Sequence, residues 1–247
     1  VVTDPDAGDT HSIEIVSAPL ATEADVSISG MNIVYTPAPN WSGNHEVRYR
    51  VIDASGAASN VGFLTITVNS VNDNPIVNDL SIAVDEDTAG SATSIIQDAD
   101  VGDTHTLAIT TNTPFGTIVI SGLDINFEPQ PNWNGTTTVK YRAVDQNGGN
   151  SNIATVTITV NPVNDIPEIS DETLTTNEDV SVLYTLPIID PDSPESHTII
   201  LETLPDSGTA VISGDQILYT PPPSWSGATA LTYRVEDSAG ESSSIAT

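Results

Sequence analysis

Cysteine is absent from the 247 residues, so no disulfide can staple small domains together, and acidic clusters that bind metal are left to do that work. Basic residues are almost as scarce: Lys and Arg total 5 against 34 Asp and Glu, a formal charge of -29. Such a chain repels phosphate backbones and anionic lipid, which excludes nucleic acid and acidic membrane surfaces as partners and makes multivalent cations its natural counterparts. Aromatic residues make up only 5%, but 38% of residues are hydrophobic. Many of these sit in alternating runs, which argues for a folded chain rather than an acidic disordered one. No apolar run approaches the roughly 20 residues of a membrane helix, so no membrane insertion is expected in this segment. The chain opens at Val1 with neither an initiator methionine nor a signal sequence, and the expectation is a piece of a longer protein.

The few tryptophans set the organisation. Trp41, Trp133 and Trp225 stand 92 residues apart, each followed two residues later by Gly43, Gly135 or Gly227. An aromatic and a proline precede each one (Tyr35 and Pro37, Phe127 and Pro129, Tyr219 and Pro221), and Tyr49, Tyr141 and Tyr233 follow, each before an Arg. A fixed period with an ordered motif set marks a repeat protein. The expected domains are 1–75, 76–167 and 168–247, with the first lacking its opening strand and the third most of its closing one. Acid-rich connectors join them: VNDNP at 71–75 and VNDIP at 163–167, with Glu86 and Asp87 nearby and the runs DADVGDTH at 98–105 and DPDSPESH at 190–197 beyond.

The middle copy reads as β structure throughout. Alternating segments near 79–84, 93–96, 104–110, 116–120, 124–128, 137–144 and 154–161 are separated by Gly, Asn, Pro and Asp. In the last of these, Val156, Ile158 and Val160 are expected to face inward and Thr155, Thr157 and Thr159 outward, a pattern repeated by Leu64, Ile66 and Val68. No segment has helical periodicity. The fold class is therefore all-β: tandem seven-stranded antiparallel Greek-key sandwiches of cadherin-like or immunoglobulin-like kind, arranged as an elongated rod, with a barrel as the alternative.

The VNDNP ending, the acidic pair Glu86 and Asp87, the DAD at 98–100 and the AVDQNG at 143–148 resemble cadherin repeats. The YTPAPNWSG and VNPVNDIP forms are similar to the tandem cadherin-like and immunoglobulin-like repeats of large bacterial surface and biofilm adhesins. The resemblance covers nearly the whole chain. It implies Ca²⁺ between successive repeats, and clustered carboxylates, amides and carbonyls supply the six to eight hard oxygens that this ion takes. The implied ligands at the first junction are Asn72, Asp73, Asn74, Asp98, Asp100 and Asp145. At the second they are Glu86, Asp87, Asn164, Asp165, Asp190, Asp192 and Asp237. Two departures from the cadherin pattern reduce the expectation to one or two ions per junction: Ser70 and Pro162 stand where an Asp is usual, and NWSG, NWNG and SWSG replace an acidic loop. Asp4, Asp6, Asp9 and Asp53 copy the lower half of a junction alone and are expected to bind calcium poorly. The plain alternative is that these Asp and Asn residues only make turns.

Other chemistries fare worse. An EF-hand reading of 4–9 fails because Ile15, Ile109 and Leu201 occupy the position that needs a bidentate Glu. His11, His105 and His197 recur once per copy, and each is expected to cap a strand beside the acidic loop; His45 stands alone and is expected to be exposed. The tryptophans are read as plugs at the ends of the sandwiches, with sugar stacking as the rival. Arg48, Arg50, Lys140, Arg142 and Arg234 alternate with apolar residues, form a solvent face and should pair with acids on neighbouring strands. Asn40 and Asn134 begin glycosylation sequons but read as turn residues. No nucleophile, base and orienting partner stand out, so no enzyme is expected. The resulting expectation is a calcium-stiffened, extracellular spacer of a bacterial surface adhesin, whose partners are calcium and neighbouring repeats. The rivals are a glycan- or protein-binding module that uses the Trp loops and an accessory region of a secreted polysaccharide-degrading enzyme.

Overall fold

Alternation of branched apolar residues with threonine governs the architecture. The computed structural model describes every residue except Val1, Ala7 and Ser193. The described residues form 17 strands and no helix. The first copy holds β1 (Ser12–Ser17), β2 (Ala24–Ser29), β3 (Asn32–Pro37), β4 (Gly43–Ile52) and β5 (Gly62–Val68). The middle copy holds β6 (Leu80–Asp85), β7 (Gly90–Thr93), β8 (His105–Thr111), β9 (Gly116–Ser121), β10 (Asp124–Pro129), β11 (Gly135–Asp145) and β12 (Ala154–Asn161). The third holds β13 (Val182–Thr185), β14 (Thr198–Thr203), β15 (Thr209–Ser213), β16 (Gln216–Thr220) and β17 (Thr232–Glu236).

The sheets follow one plan. The middle copy has a four-stranded sheet in the order β6-β12-β11-β8 and a three-stranded one in the order β7-β10-β9. The first copy has β1-β4-β5 with the hairpin β2-β3, and the third has β13-β16-β15 with the pair β14-β17. One ladder is not antiparallel: β6 runs parallel to β12, from Leu80 opposite Val156 to Asp85 opposite Asn161. In a chain that reverses at each connection, first and seventh strands point the same way, so placing them side by side gives a parallel pair. The expected segment 93–96 is also displaced, to Gly90–Thr93. Ile95, inside the expected segment, is 73% exposed, whereas a Cβ at Gly90 would lie 2.3 Å from Val84 Cγ1, so glycine allows β7 its close approach to β6.

By contact density the chain forms two compact units. One comprises Val1–Asp79, Thr93–Thr111 and Lys140–Thr155; the other comprises Leu80–Ala92, Asn112–Val139 and Val156–Thr247. The middle copy contributes to both, a division that the three-part sequence reading did not anticipate. In the first unit Val47, Tyr141 and Ala143 are fully buried, and in the second Ile125, Phe127, Val156 and Ile158 are. β12 buries Val156, Ile158 and Val160 while Thr157 and Thr159 stay exposed, as expected. At about 25 cal/mol per Å² of apolar surface, each fully buried branched side chain contributes roughly 1.5–3 kcal/mol before conformational entropy is set against it.

The tryptophan loops have a backbone explanation. The residue before each Trp is left-handed: Asn40 at φ 58°, Asn132 at 55° and Ser224 at 53°, a region in which Asn is enriched. A Cβ at Gly43 or Gly135 would lie 3.3 Å from the indole two residues earlier, and both glycines have positive φ. The Trp-x-Gly spacing thus lets each ring fold back over its own loop. The other faces are occupied too, Trp41 stacking on His45 at 3.7 Å and Trp133 on Phe115 at 4.7 Å.

His45 corrects the expectation of exposure. Its side chain is only 9% exposed, with Nδ1 2.9 Å from Tyr35 Oη and Nε2 3.1 Å from Glu23 Oε2. The sequence carried the signal, because His45 shares its strand face with Val47 and Tyr49. The basic residues pair only in part as expected. Arg50 binds Glu14 on the neighbouring β1 and Arg234 binds Glu202 on β14, whereas Arg48 reaches Glu46 on its own strand and lies over the Phe63 ring.

Tyr141 is the clearest test of this packing. Its hydroxyl donates to the Asn78 carbonyl at 2.7 Å and meets Ser94 Oγ at 3.2 Å, with the ring fully buried. Tyr141→Phe leaves a carbonyl without its donor and should cost about 1–2 kcal/mol, read as a lower denaturant midpoint with an unchanged slope.

Candidate metal centres

Two clusters of oxygen ligands recur with the 92-residue period, each lying wholly inside one compact unit. In the first, the backbone N–H of Asp73 donates to Asp100 Oδ2 at 2.7 Å and Asn72 Nδ2 to Asp145 Oδ2 at 2.9 Å. In the second, Asp165 N donates to Asp192 Oδ2 at 2.6 Å and Asn164 Nδ2 to Asp237 Oδ2 at 2.8 Å. The acid-rich loops fold on themselves before they reach across. Asp100 N donates to Asp98 Oδ1 and Asp192 N to Asp190 Oδ1, both at 3.0 Å. His105 and His197 hold the other oxygens of Asp98 and Asp190 at 2.7 Å, as His11 holds Asp4 at 2.9 Å. Each histidine stands at the start of its strand beside the acidic loop, as expected: His105 opens β8, and His11 and His197 directly precede β1 and β14.

The loop after β11 supplies the last wall of the first cluster. Asp145 Oδ1 accepts the N–H groups of Asn147 and Gly149 at 2.8 Å. Gly149 is needed there, because a Cβ would fall 2.3 Å from Asp145 Oδ2 and 2.6 Å from Asn74 Oδ1. Asp98, Asp103 and Asp145 each present an oxygen within 4.8 Å of the others, and Asp4, Asp9 and Asp53 do the same in the first copy. Asp103 escaped the sequence reading although it lies inside the DADVGDTH run; its offset before His105 matches that of Asp9 before His11. Asn147 and Gln146 were missed as well. They donate to Asp103 at 3.1 and 2.6 Å, and nothing in the sequence marks them beyond the turn they occupy.

Glu86 and Asp87 play different parts. Glu86 is 4% exposed, and its Oε1 accepts the Val163 N–H at 2.6 Å. Asp87 is exposed, and its Oδ1 accepts the Asn132 N–H of the Trp133 loop at 3.0 Å. Asp179 repeats that contact with Ser224 at 2.9 Å.

The electrostatics separate satisfied carboxylates from strained ones. Asp98 is held below the usual carboxylate range mainly by His105, and Asp145 and Asp237 mainly by the amides of Asn72 and Asn164. Asp165 moves the other way: burial comes first, followed by the charges of Asp192, Glu86, Asp87 and Asp190. Among the described residues, Asp165 Oδ2 and Glu86 Oε2 are buried with no hydrogen-bond donor. Buried carboxylate oxygens without donors, crowded by three further negative charges at Asp87, Asp190 and Asp192, fit a divalent cation with hard-oxygen preference. They do not fit a turn-making role alone, which would aim each carboxylate at a backbone N–H.

Comparison with known families agrees with this repeat plan. The bacterial Ig domain profile matches residues 1–67 and 164–247, and the bacterial cadherin-like domain profile matches 72–162. No curated protein matches the chain. Among solved structures, PcdhgB3 EC1-4 is similar with a TM-score of 0.58 at 14% identity, over 96% of this chain and 64% of that one. The human desmocollin-1 ectodomain gives 0.46 at 13% identity, over 96% of this chain and 50% of its own length. An endo-fucoidan hydrolase of glycoside hydrolase family 107 gives 0.34 at 14% identity, over 96% and 38%. The chain thus spans about half of the desmocollin ectodomain, and the likeness to PcdhgB3 speaks for the fold.

Asp165 offers a test with a definite sign. Its raised folded pKa means that the folded state holds a proton the unfolded state has released. This group's contribution therefore falls as pH rises through and above the ordinary carboxylate range. Asp165→Asn removes that charge, so in chelator at neutral pH the variant should be more stable than the parent. The advantage should vanish as pH drops below about 4, while both proteins lose the opposite contribution of Asp98, Asp145 and Asp237. Paired denaturation curves across pH 3–7 give the comparison; a variant less stable at every pH contradicts it.

Proposed function

The chain belongs to the bacterial Ig domain family, with a bacterial cadherin-like domain at its centre, and from that premise we propose that it is a calcium-binding spacer from the stalk of a bacterial surface adhesin. Domains of these families are typical of surface and secreted proteins and are typically not catalytic. Among the described residues no helix is long and apolar enough to cross a membrane. The reading rests most on the pair of buried, donorless oxygens of Glu86 and Asp165, set in clusters that recur at one register.

In this reading Ca²⁺ is held at the first junction by Asp73, Asn74, Asp98, Asp100, Asp103 and Asp145, with Asn72 tying Asp145 to the connector. At the second it is held by Glu86, Asp165, Asp190, Asp192 and Asp237, with Asn164 in the tying role and Asp87 adding charge. The ion supplies positive charge and a fixed oxygen shell, while the chain's own part is to gather oxygens from the connector and from two loops. We place the domain boundaries at these connectors on the 92-residue period of the Trp-x-Gly motif. Carboxylates that repel one another bend or splay a bare connector, and neutralising them stiffens it into a rod. Extracellular modules bind Ca²⁺ at about 10⁻⁴ to 10⁻³ M, so stiffening would follow export into calcium-rich surroundings. At tenfold over the dissociation constant each ion adds about 1.4 kcal/mol, enough to fix a connector though not to fold a sandwich.

Calcium titration followed by solution scattering and limited proteolysis tests the proposal. Chelation should shorten the particle and raise cutting near 71–76 and 163–168, while circular dichroism keeps its β signature. Replacing Asp98 and Asp100 by Asn should loosen the first connector and spare the second. Scattering and cleavage that ignore chelator would leave an immunoglobulin-like spacer without calcium as the better account.

A further inference from the structure

The middle copy keeps two cations without the acids that pair with them elsewhere. Four of the five basic residues are arginines, and three of these donate from Nε to a glutamate: Arg48 to Glu46 and Arg50 to Glu14 at 2.8 Å, and Arg234 to Glu202 at 2.6 Å. Arg234 also reaches Glu236 at 3.4 Å. Arg142 differs. Its Nε is buried with no hydrogen-bond acceptor, and among the described residues neither Arg142 nor Lys140 has an ion pair.

The strands account for the difference. Glu14 stands opposite Arg50, whereas Ala108 stands opposite Arg142. The register shift in β14 falls at Glu202, and the matching shift in β8 falls at Thr110. Thr138 lies 92 residues after Glu46, and Val144 lies 92 before Glu236. All four acids are thus replaced by uncharged residues, and Arg142 forfeits the charge-assisted hydrogen bond that its counterparts make. Lys140 is exposed and Arg142 half-buried, two residues apart on one face of β11, so their Cα atoms are roughly 7 Å apart. Beside them β8, at the edge of its sheet, carries the exposed Thr106 and Thr110.

We propose that Arg142 and Lys140 bind the carboxylate of a uronic acid residue in a sparsely charged glycan. The guanidinium takes this carboxylate as Arg50 takes Glu14, the ammonium adds its charge, and the hydroxyls of Thr106 and Thr110 are left for those of the sugar. The net charge of -29 narrows the ligand further. It repels a polyanion, or a second copy of this chain, by more than two cations offset, which leaves a single carboxylate on an otherwise neutral carrier. The site uses none of the candidate calcium ligands, and the inference stands without the spacer reading.

The test titrates the whole chain with glucuronate in calcium-free buffer at neutral pH and follows the arginine Nε–H signals by nuclear magnetic resonance. Glucuronate should move the Arg142 signal saturably and leave those of Arg50 and Arg234 in place. Methyl glucoside, which lacks the carboxylate, should not move it, and acetate, which lacks the sugar, should bind at least tenfold more weakly. Lys140→Gln should weaken glucuronate binding at least threefold. Thr110→Glu restores the acid that Glu202 supplies to Arg234, and it should abolish binding while circular dichroism stays unchanged. No saturable shift at Arg142, an equal response to methyl glucoside or acetate, or binding that survives Thr110→Glu or Lys140→Gln unchanged would overturn the proposal.

Discussion

Like charges gathered at fixed points constrain this molecule more than any other interaction. A formal charge of -29 spread evenly over a surface is well solvated and costs little. Here part of it is folded inward: Asp165 stands among Glu86, Asp87, Asp190 and Asp192, and burial raises its proton affinity further. The hydrogen bonds that organise the clusters use up N–H groups from the connector and the loops, and they leave Glu86 Oε2 and Asp165 Oδ2 with none. Arg48, Arg50 and Arg234 pair with Glu46, Glu14, Glu202 and Glu236, away from that site. In the proposed reading an external cation neutralises it, and the hard-oxygen preference of Ca²⁺ matches the ligands presented.

Everything else in the fold holds these loops in register. The ladders of β8 with β11 and of β14 with β17 place His105 opposite Asp145 and Thr198 opposite Glu236, beside the loops that carry the ligands. Tyr141 and Tyr233 tie the same sheets to the connectors through the carbonyls of Asn78 and Ser170, at 2.7 and 2.8 Å. The Trp loops are fastened by Asp87 and Asp179. Tyr141 and Tyr233 stand four residues before the candidate ligands Asp145 and Asp237, and the two clusters agree within 0.1 Å in their shared backbone bonds.

Much of this was legible in the sequence because the chain states it three times. The Trp-x-Gly period, the alternation in β12 and the histidine caps all depend on spacing, which a one-dimensional reading preserves. What escaped it depends on which way a side chain turns. Asp103 and Asn147 enter the first cluster through loop curvature, and His45 is buried by Trp41 folding back over Gly43. Glu86 and Asp87 look like an equivalent acidic pair, but the left-handed backbone at Asp87, φ 58°, sends its carboxylate to Asn132 while Glu86 points inward. The parallel ladder of β6 with β12 was hidden for a related reason, since strand direction follows from the count of reversals rather than from any residue.

Anomalous diffraction from crystals grown in calcium reads the central claim directly, because it locates the ion without reference to its effects. The account predicts peaks among Asp98, Asp103 and Asp145 and among Glu86, Asp165, Asp190 and Asp237. Saturating calcium that leaves both clusters empty, with Glu86 and Asp165 still buried and donorless, would contradict it.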